Sequence, residues 1–151
     1  MTKARMSTLI RTLGVVAVVV MAFLAIPMVT GQSVAHAQAS CGGTTDHVNG
    51  NDDIPVPSTS NSSGNFNCVD GIGNQGDAVR ELQMSMNFCR GEHLTVDGIY
   101  GTQTSNAMKR AQKALGVPQD GVYGPQTRHA GFPFEGVNIQ NAHHVCAVAG
   151  F

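Results

Sequence analysis

Asp97, Tyr100 and Gln103 return 23 residues later as Asp120, Tyr123 and Gln126. They belong to two related segments, Asp97-Gly-Ile-Tyr-Gly-Thr-Gln-Thr104 and Asp120-Gly-Val-Tyr-Gly-Pro-Gln-Thr127, identical at six of eight positions. A tyrosine ring can stack on the apolar face of a sugar while its hydroxyl makes a hydrogen bond. Gln103 and Gln126 can read amide or hydroxyl groups of a glycan or a peptide. Tyr100, Gln103, Tyr123 and Gln126 are therefore the candidate ligand contacts. Asp97 and Asp120 read differently, because an Asp before Gly bonds the amides of its own turn. Gln83 and Gln112 sit beside core positions, and a partly buried amide there must find partners by tethering a loop.

Catalytic chemistry finds little support. No Ser or Cys lies in a nucleophile motif, and Glu81, Glu92 and Glu135 sit in no paired-carboxylate setting of a glycosidase. His143-His144-x-Cys146 has too few ligands at defined spacing for a structural zinc site. The expectation is a non-enzyme without metal or cofactor.

Short helices must position the repeated segments. Val79, Leu82 and Met86 share one stripe, which predicts a first helix over about 77–88. Ala107, Met108, Ala111 and Leu115 predict a second over about 102–115, with Lys109, Arg110 and Lys113 opposite and Gly116 as a left-handed cap. Pro125 opens a third, short helix that Gly131 ends. Val137-Asn138-Ile139 alternates and predicts an edge strand in the tail.

Residues 1–37 read as an export signal, with a basic start, an apolar run over 13–29 and an Ala35-His36-Ala37 cleavage site. A retained anchor, or a lipoprotein attached at Cys41, are the competing readings. Residues 38–67 are rich in Gly, Ser, Thr, Asn and Pro and read as a flexible linker. The leader holds three of the nine basic residues and none of the ten acidic ones, leaving a net charge near −4 after cleavage. That argues against nucleic acid or an anionic membrane surface as partner. Cys41, Cys68, Cys89 and Cys146 all follow the leader, so two disulfides are expected in an exported chain. Three connectivities are open. One joins Cys68 to Cys89 by running the lead-in back along the first helix, leaving Cys41 with Cys146. A competing one joins Cys89 to Cys146 and pins the tail.

In sequence order, Gly76, Val79, Leu82, Gln83, Val96, Asp97, Gly98, Tyr100, Gly101, Thr104, Ala107, Gln112, Asp120, Gly121, Gly124, Pro125 and Thr127 resemble the peptidoglycan-binding domain found beside many bacterial cell-wall hydrolases. The resemblance spans about 71–131. It implies an all-α fold, a small three-helix orthogonal bundle with two-fold internal repeat, as a domain over 68–131 with an irregular tail over 132–151. It implies non-catalytic attachment to peptidoglycan glycan or stem peptide by a protein secreted to the cell wall. The expected source is a Gram-positive organism, and the long Ala/Val-rich leader is consistent with an actinobacterium. A different class of reading is an extracellular protein-interaction module, an inhibitor or partner of a secreted cell-wall hydrolase. Ala111 and Arg128 stand where the family usually has aromatic residues, so Phe132, Phe134 and the tail are expected to supply the missing packing.

Overall fold

The computed structural model describes residues 38–151. The leader expected over 1–37 lies outside the described residues. The elements run β1 (Gly43–Asn49), β2 (Asp52–Ser58), α1 (Asp77–Arg90), α2 (Thr102–Leu115), α3 (Pro125–His129), β3 (Pro133–Asn138) and β4 (His144–Val148). The four strands form one antiparallel sheet in the order β1-β2-β3-β4.

The expected all-α three-helix bundle is thus corrected to a mixed α/β fold. Three helices are present, but they share the chain with a sheet. Two strands come from the segment read as linker and two from the tail read as irregular. In the first hairpin, Asn49 faces Asp52 across a two-residue loop, and Gly50 takes the positive φ of 67° that such a turn demands. In β2, Ile54, Val56 and Ser58 are buried on one face, and Pro55 and Pro57 alternate with them. A proline nitrogen has nothing to donate, so it must face away from a continuous ladder. β2 pairs with β1 along its whole length but with β3 only at Asp52 and Asp53, so the prolines lie where the second ladder has ended. β3 is an interior strand rather than an edge, since Val137 pairs with both Asp53 and His144.

The helices follow the apolar pattern. Val79, Leu82 and Met86 of α1 and Ala107, Met108 and Ala111 of α2 are fully buried. Gly91 and Gly116 cap the two helices at φ 68° and 72°. α1 packs on α2 and on β2 and β3. Its Ser85 hydroxyl donates to Glu81 at 2.7 Å and accepts the Glu135 N–H of β3 at 2.8 Å, tying helix to sheet. Because α3 has only five residues, Tyr123 packs edge-on to Phe132 and Phe134 at centroid distances of 5.8 and 6.1 Å. The tail does supply aromatic packing beside the second repeat.

The disulfides are Cys41–Cys68 and Cys89–Cys146. The pairing of Cys68 with Cys89 is not formed, because the lead-in to α1 does not run back along the helix. It pairs with the repeats instead: Asp70 bridges Tyr123 and Gln75 bridges Ile99. Closing loops of 27 and 57 residues stabilises the chain by about 3–4 kcal/mol each on loop entropy.

Gly136 marks the tightest approach of β3 to β2. A Cβ there would lie 2.4 Å from Ile54 Cγ2 and 2.5 Å from the Asp53 carbonyl oxygen. Gly136→Ala is expected to lower stability by about 1–3 kcal/mol in urea unfolding, as overpacking does; an unchanged midpoint would contradict this packing.

Candidate functional site

Each repeat is built around one glutamine amide. Gln83 projects from α1, and its Oε1 accepts the Gly98 N–H at 2.8 Å. Its Nε2 donates to Asp97 at 2.8 Å, the Ile99 carbonyl at 3.1 Å and the Thr104 hydroxyl at 3.3 Å. Gln112 of α2 repeats the pattern. Its Oε1 accepts from Gly121 at 2.9 Å, and its Nε2 donates to Asp120 at 2.6 Å, Val122 O at 2.9 Å and Thr127 at 3.1 Å. Asp97 and Asp120 also accept the amide two residues on, at 2.8 and 2.9 Å. Those bonds, the Ile99 amide first and Gln83 second, hold the Asp97 carboxyl below its ordinary value. Gly98 and Gly121 adopt φ of 72° and 74°, which a side chain would resist.

The clamp decides what faces out. Tyr100 is 1% exposed and Tyr123 0%, so both rings are core plugs, away from the surface where a ligand would arrive. The Tyr100 hydroxyl donates to the Gly121 carbonyl at 3.0 Å, so the first repeat reaches into the turn of the second. Burial pushes both phenols above their ordinary value. In extended backbone neighbouring side chains face opposite ways, so burying the tyrosines turns Ile99 and Val122 outward, at 54% and 37% exposure. These two residues escaped the sequence reading, although alternation within the repeat carried the signal.

Gln103 and Gln126 are exposed, each on the rim of a cleft. The first cleft, of about 220 Å³, lies between Leu94, Asp97, Ile99, Gln103 and Thr104. It adjoins a recess of about 320 Å³ that shares Leu94 and Gln103 and adds Asn106, Glu92 and Arg110. Arg110 donates to both Glu92 oxygens, at 2.8 and 2.5 Å, and holds that carboxyl below its usual range. The second cleft, of about 360 Å³, lies between Asp120, Val122, Gln126, Thr127, Gln38 and Asn67. The four predicted residues are therefore not one cluster: two lie in the core and two lie in separate clefts.

Arg128, 7% exposed, is buried beside the second repeat. Its guanidinium lies 5.1 Å from the Phe151 ring centroid and 5.9 Å from that of Phe66, and its Nη1 donates to the Phe66 carbonyl. A fourth recess, of about 310 Å³ between helix and sheet, gathers Asp46, Asp53, Glu81, Glu135 and His144. Sequence spacing gave no sign of this grouping, because it joins five elements, one helix and all four strands. His144 Nδ1 lies 2.7 Å from Glu135, and Cys146 is consumed by its disulfide. Among the described residues, no group of three His, Cys, Asp or Glu is arranged to hold a metal ion. Nor is any described helix long and apolar enough to cross a membrane.

Residues 75–130 match the family model described as putative peptidoglycan binding domain. That matched segment contains both glutamine clamps and both turns. Over 57 residues the chain is 40% identical to a zinc D-Ala-D-Ala carboxypeptidase of Streptomyces albus G, covering 36% of this chain and 22% of the enzyme. Over 33 residues it is 52% identical to a probable N-acetylmuramoyl-L-alanine amidase of Bacillus licheniformis, covering 22% of this chain and 9% of that protein. The chain thus spans less than a quarter of either relative. Among solved structures, the SleB N-terminal domain is 33% identical, with 42% of this chain and 86% of that one covered at a TM-score of 0.40. A peptidoglycan-binding protein from Clostridioides difficile, in complex with glutamine hydroxamate, is 25% identical, with 56% and 53% covered at a TM-score of 0.42.

Two expectations follow from the buried polar groups. Gln83→Ala removes the partners of the Gly98 amide and the Asp97 turn, and is expected to cost about 1–3 kcal/mol in urea unfolding; a change within error would show the clamp to be dispensable. Asp70 is fully buried with neither carboxylate oxygen hydrogen-bonded, and burial pushes it up to about 7. Burial likewise pushes Glu81 up to about 8, against the Ser85 bond and with help from the Glu135 charge. Both groups favour protonation when folded, so their contribution is full below the unfolded carboxyl range of about 4 and is lost as pH rises through 7 to 8. The urea midpoint should fall between about pH 5 and about pH 8.5, and fall less in Asp70→Asn; equal slopes in the two proteins would contradict this assignment.

Proposed function

We propose that the chain attaches non-covalently to bacterial peptidoglycan, without cutting it, as a protein exported to the cell wall. The match of residues 75–130 to the peptidoglycan-binding family model supports peptidoglycan as partner, and the two disulfides support an oxidising, extracellular setting. One observation carries the reading to a place on the molecule. The Gln103 amide stands exposed on the rim of a cleft whose apolar wall is Leu94 and Ile99. Acetamido sugars and alanyl peptides present alternating amides and methyl groups. Leu94 and Ile99 would take the methyls, and Gln103 and Asn106 would bond the amides. Arg110 and Glu92 neutralise each other at the far end, which leaves the Asp97 carboxylate, tied to Gln83 and the Ile99 amide, as the acidic group on the groove wall. Tyr100 and Tyr123 act from within, holding the turns.

Co-sedimentation with purified peptidoglycan tests the proposal. Retention that soluble muropeptide competes away is expected. Gln103→Ala should weaken it by about 2–10-fold, one modest hydrogen bond, at an unchanged urea midpoint. Absence of retention, capture of a secreted hydrolase in its place, or a cleared band in a peptidoglycan zymogram would contradict it.

A further inference from the structure

We propose that the second repeat carries a second subsite for the same polymer, so that one chain engages two of its repeating units at once. The inference rests on the peptidoglycan reading above and extends it to a cleft of different side wall. The floors of the two clefts correspond residue for residue. Asp97, Ile99, Gln103 and Thr104 line the first; Asp120, Val122, Gln126 and Thr127 line the second. The two glutamine clamps hold both floors with the same set of bonds. The exposed parts are therefore of the same kinds in each: an Asp carboxylate, one aliphatic side chain and one primary amide. A surface able to take a methyl beside an amide in one repeat is able to take it in the other.

The side walls differ. Leu94 closes the first cleft. Gln38, Asn67 and Val69 close the second, with Gln38 Nε2 donating to Asn67 Oδ1 at 2.5 Å. Gln38 and Asn67 lie next to segments that the Cys41–Cys68 disulfide and the Cys41–Val69 and Val69–Ala39 backbone bonds hold together. The second wall thus adds two further amides beside its aliphatic Val69, where the first offers Leu94 and Thr95. The first cleft suits an acetamido methyl, and the second suits a unit richer in amides. The turns carrying Ile99 and Val122 are joined through one loop, since Gln75 bridges Ile99 and Asp70 bridges Tyr123. Two weak subsites on one rigid frame gain avidity on a repeating polymer that neither has for a single unit.

The test is an NMR titration of the full chain with a soluble disaccharide-peptide muropeptide, run beside peptidoglycan co-sedimentation. Peptide-free disaccharide and free stem peptide serve as separate arms that distinguish the source of the amide. The amides of Ile99 and Gln103, and those of Val122 and Gln126, are expected to shift with separate saturation curves. Gln126→Ala and Asn67→Ala should abolish the second set and leave the first. Each should weaken binding to insoluble polymer about tenfold or more through lost avidity, at an unchanged urea midpoint. Shifts confined to the first cleft, with polymer binding unaffected by Gln126→Ala, overturn the second subsite while leaving the proposed function standing. No shift at either cleft, together with no retention on polymer, overturns both.

Discussion

The fold of the repeated region depends on two glutamine amides, Gln83 and Gln112, each satisfied by four bonds to the turn that follows its helix. A primary amide taken from water must recover its partners inside the protein. The Asp-Gly turn is shaped to supply them: a glycine N–H at positive φ, a carboxylate, a carbonyl and a threonine hydroxyl. That requirement fixes the turn and, through strand alternation, which residue faces in. Tyr goes inward, Ile99 or Val122 goes outward, and the glutamine at the next helix start lands on the cleft rim. The surface of each cleft is thus a consequence of how the buried amides are satisfied.

Around this centre the chain compensates for a truncated third helix. Phe132 and Phe134 cover Tyr123, and the sheet lays Ile54, Val56 and Phe134 into the same core that α1 serves. Burying each such side chain is worth about 1.5–3 kcal/mol. Arg128 is held beside the second repeat by the faces of Phe66 and Phe151 and by the Phe66 carbonyl, while its Nε finds no partner. The two disulfides fasten the added segments to the body, Cys41–Cys68 within the core itself and Cys89–Cys146 between α1 and β4.

The local parts of this arrangement were legible in the amino-acid sequence. The apolar stripe and flanking glycines placed α2 at Thr102–Leu115, and an Asp-Gly pair with a nearby buried glutamine pointed to a tethered turn. The all-α expectation failed because the strands carry weak local signals. β1 is mostly polar, β2 alternates Ile and Val with prolines, and pairing between residues as distant as Asp52 and Asn138 fixes their place. The Gly50-Asn51 hairpin turn lies in a stretch whose composition argued for a linker. The tyrosines were ambiguous from type alone; only the packing of Phe132 and Phe134 and the reach of Tyr100 to Gly121 put them inside. The disulfide pairing depended on the path of residues 69–76, which bridges to the repeats were needed to define.

The central claim is that wall polymer is held where an aliphatic side chain and a glutamine amide flank a clamped turn. A crystal structure of the chain soaked with soluble muropeptide tests it most directly. The account predicts ligand density in the cleft between Leu94, Ile99 and Gln103, with a ligand amide in hydrogen-bond reach of the Gln103 side chain. Ordered muropeptide in the acidic recess of Glu81, Glu135 and His144, with both glutamine-rimmed clefts empty, would contradict it.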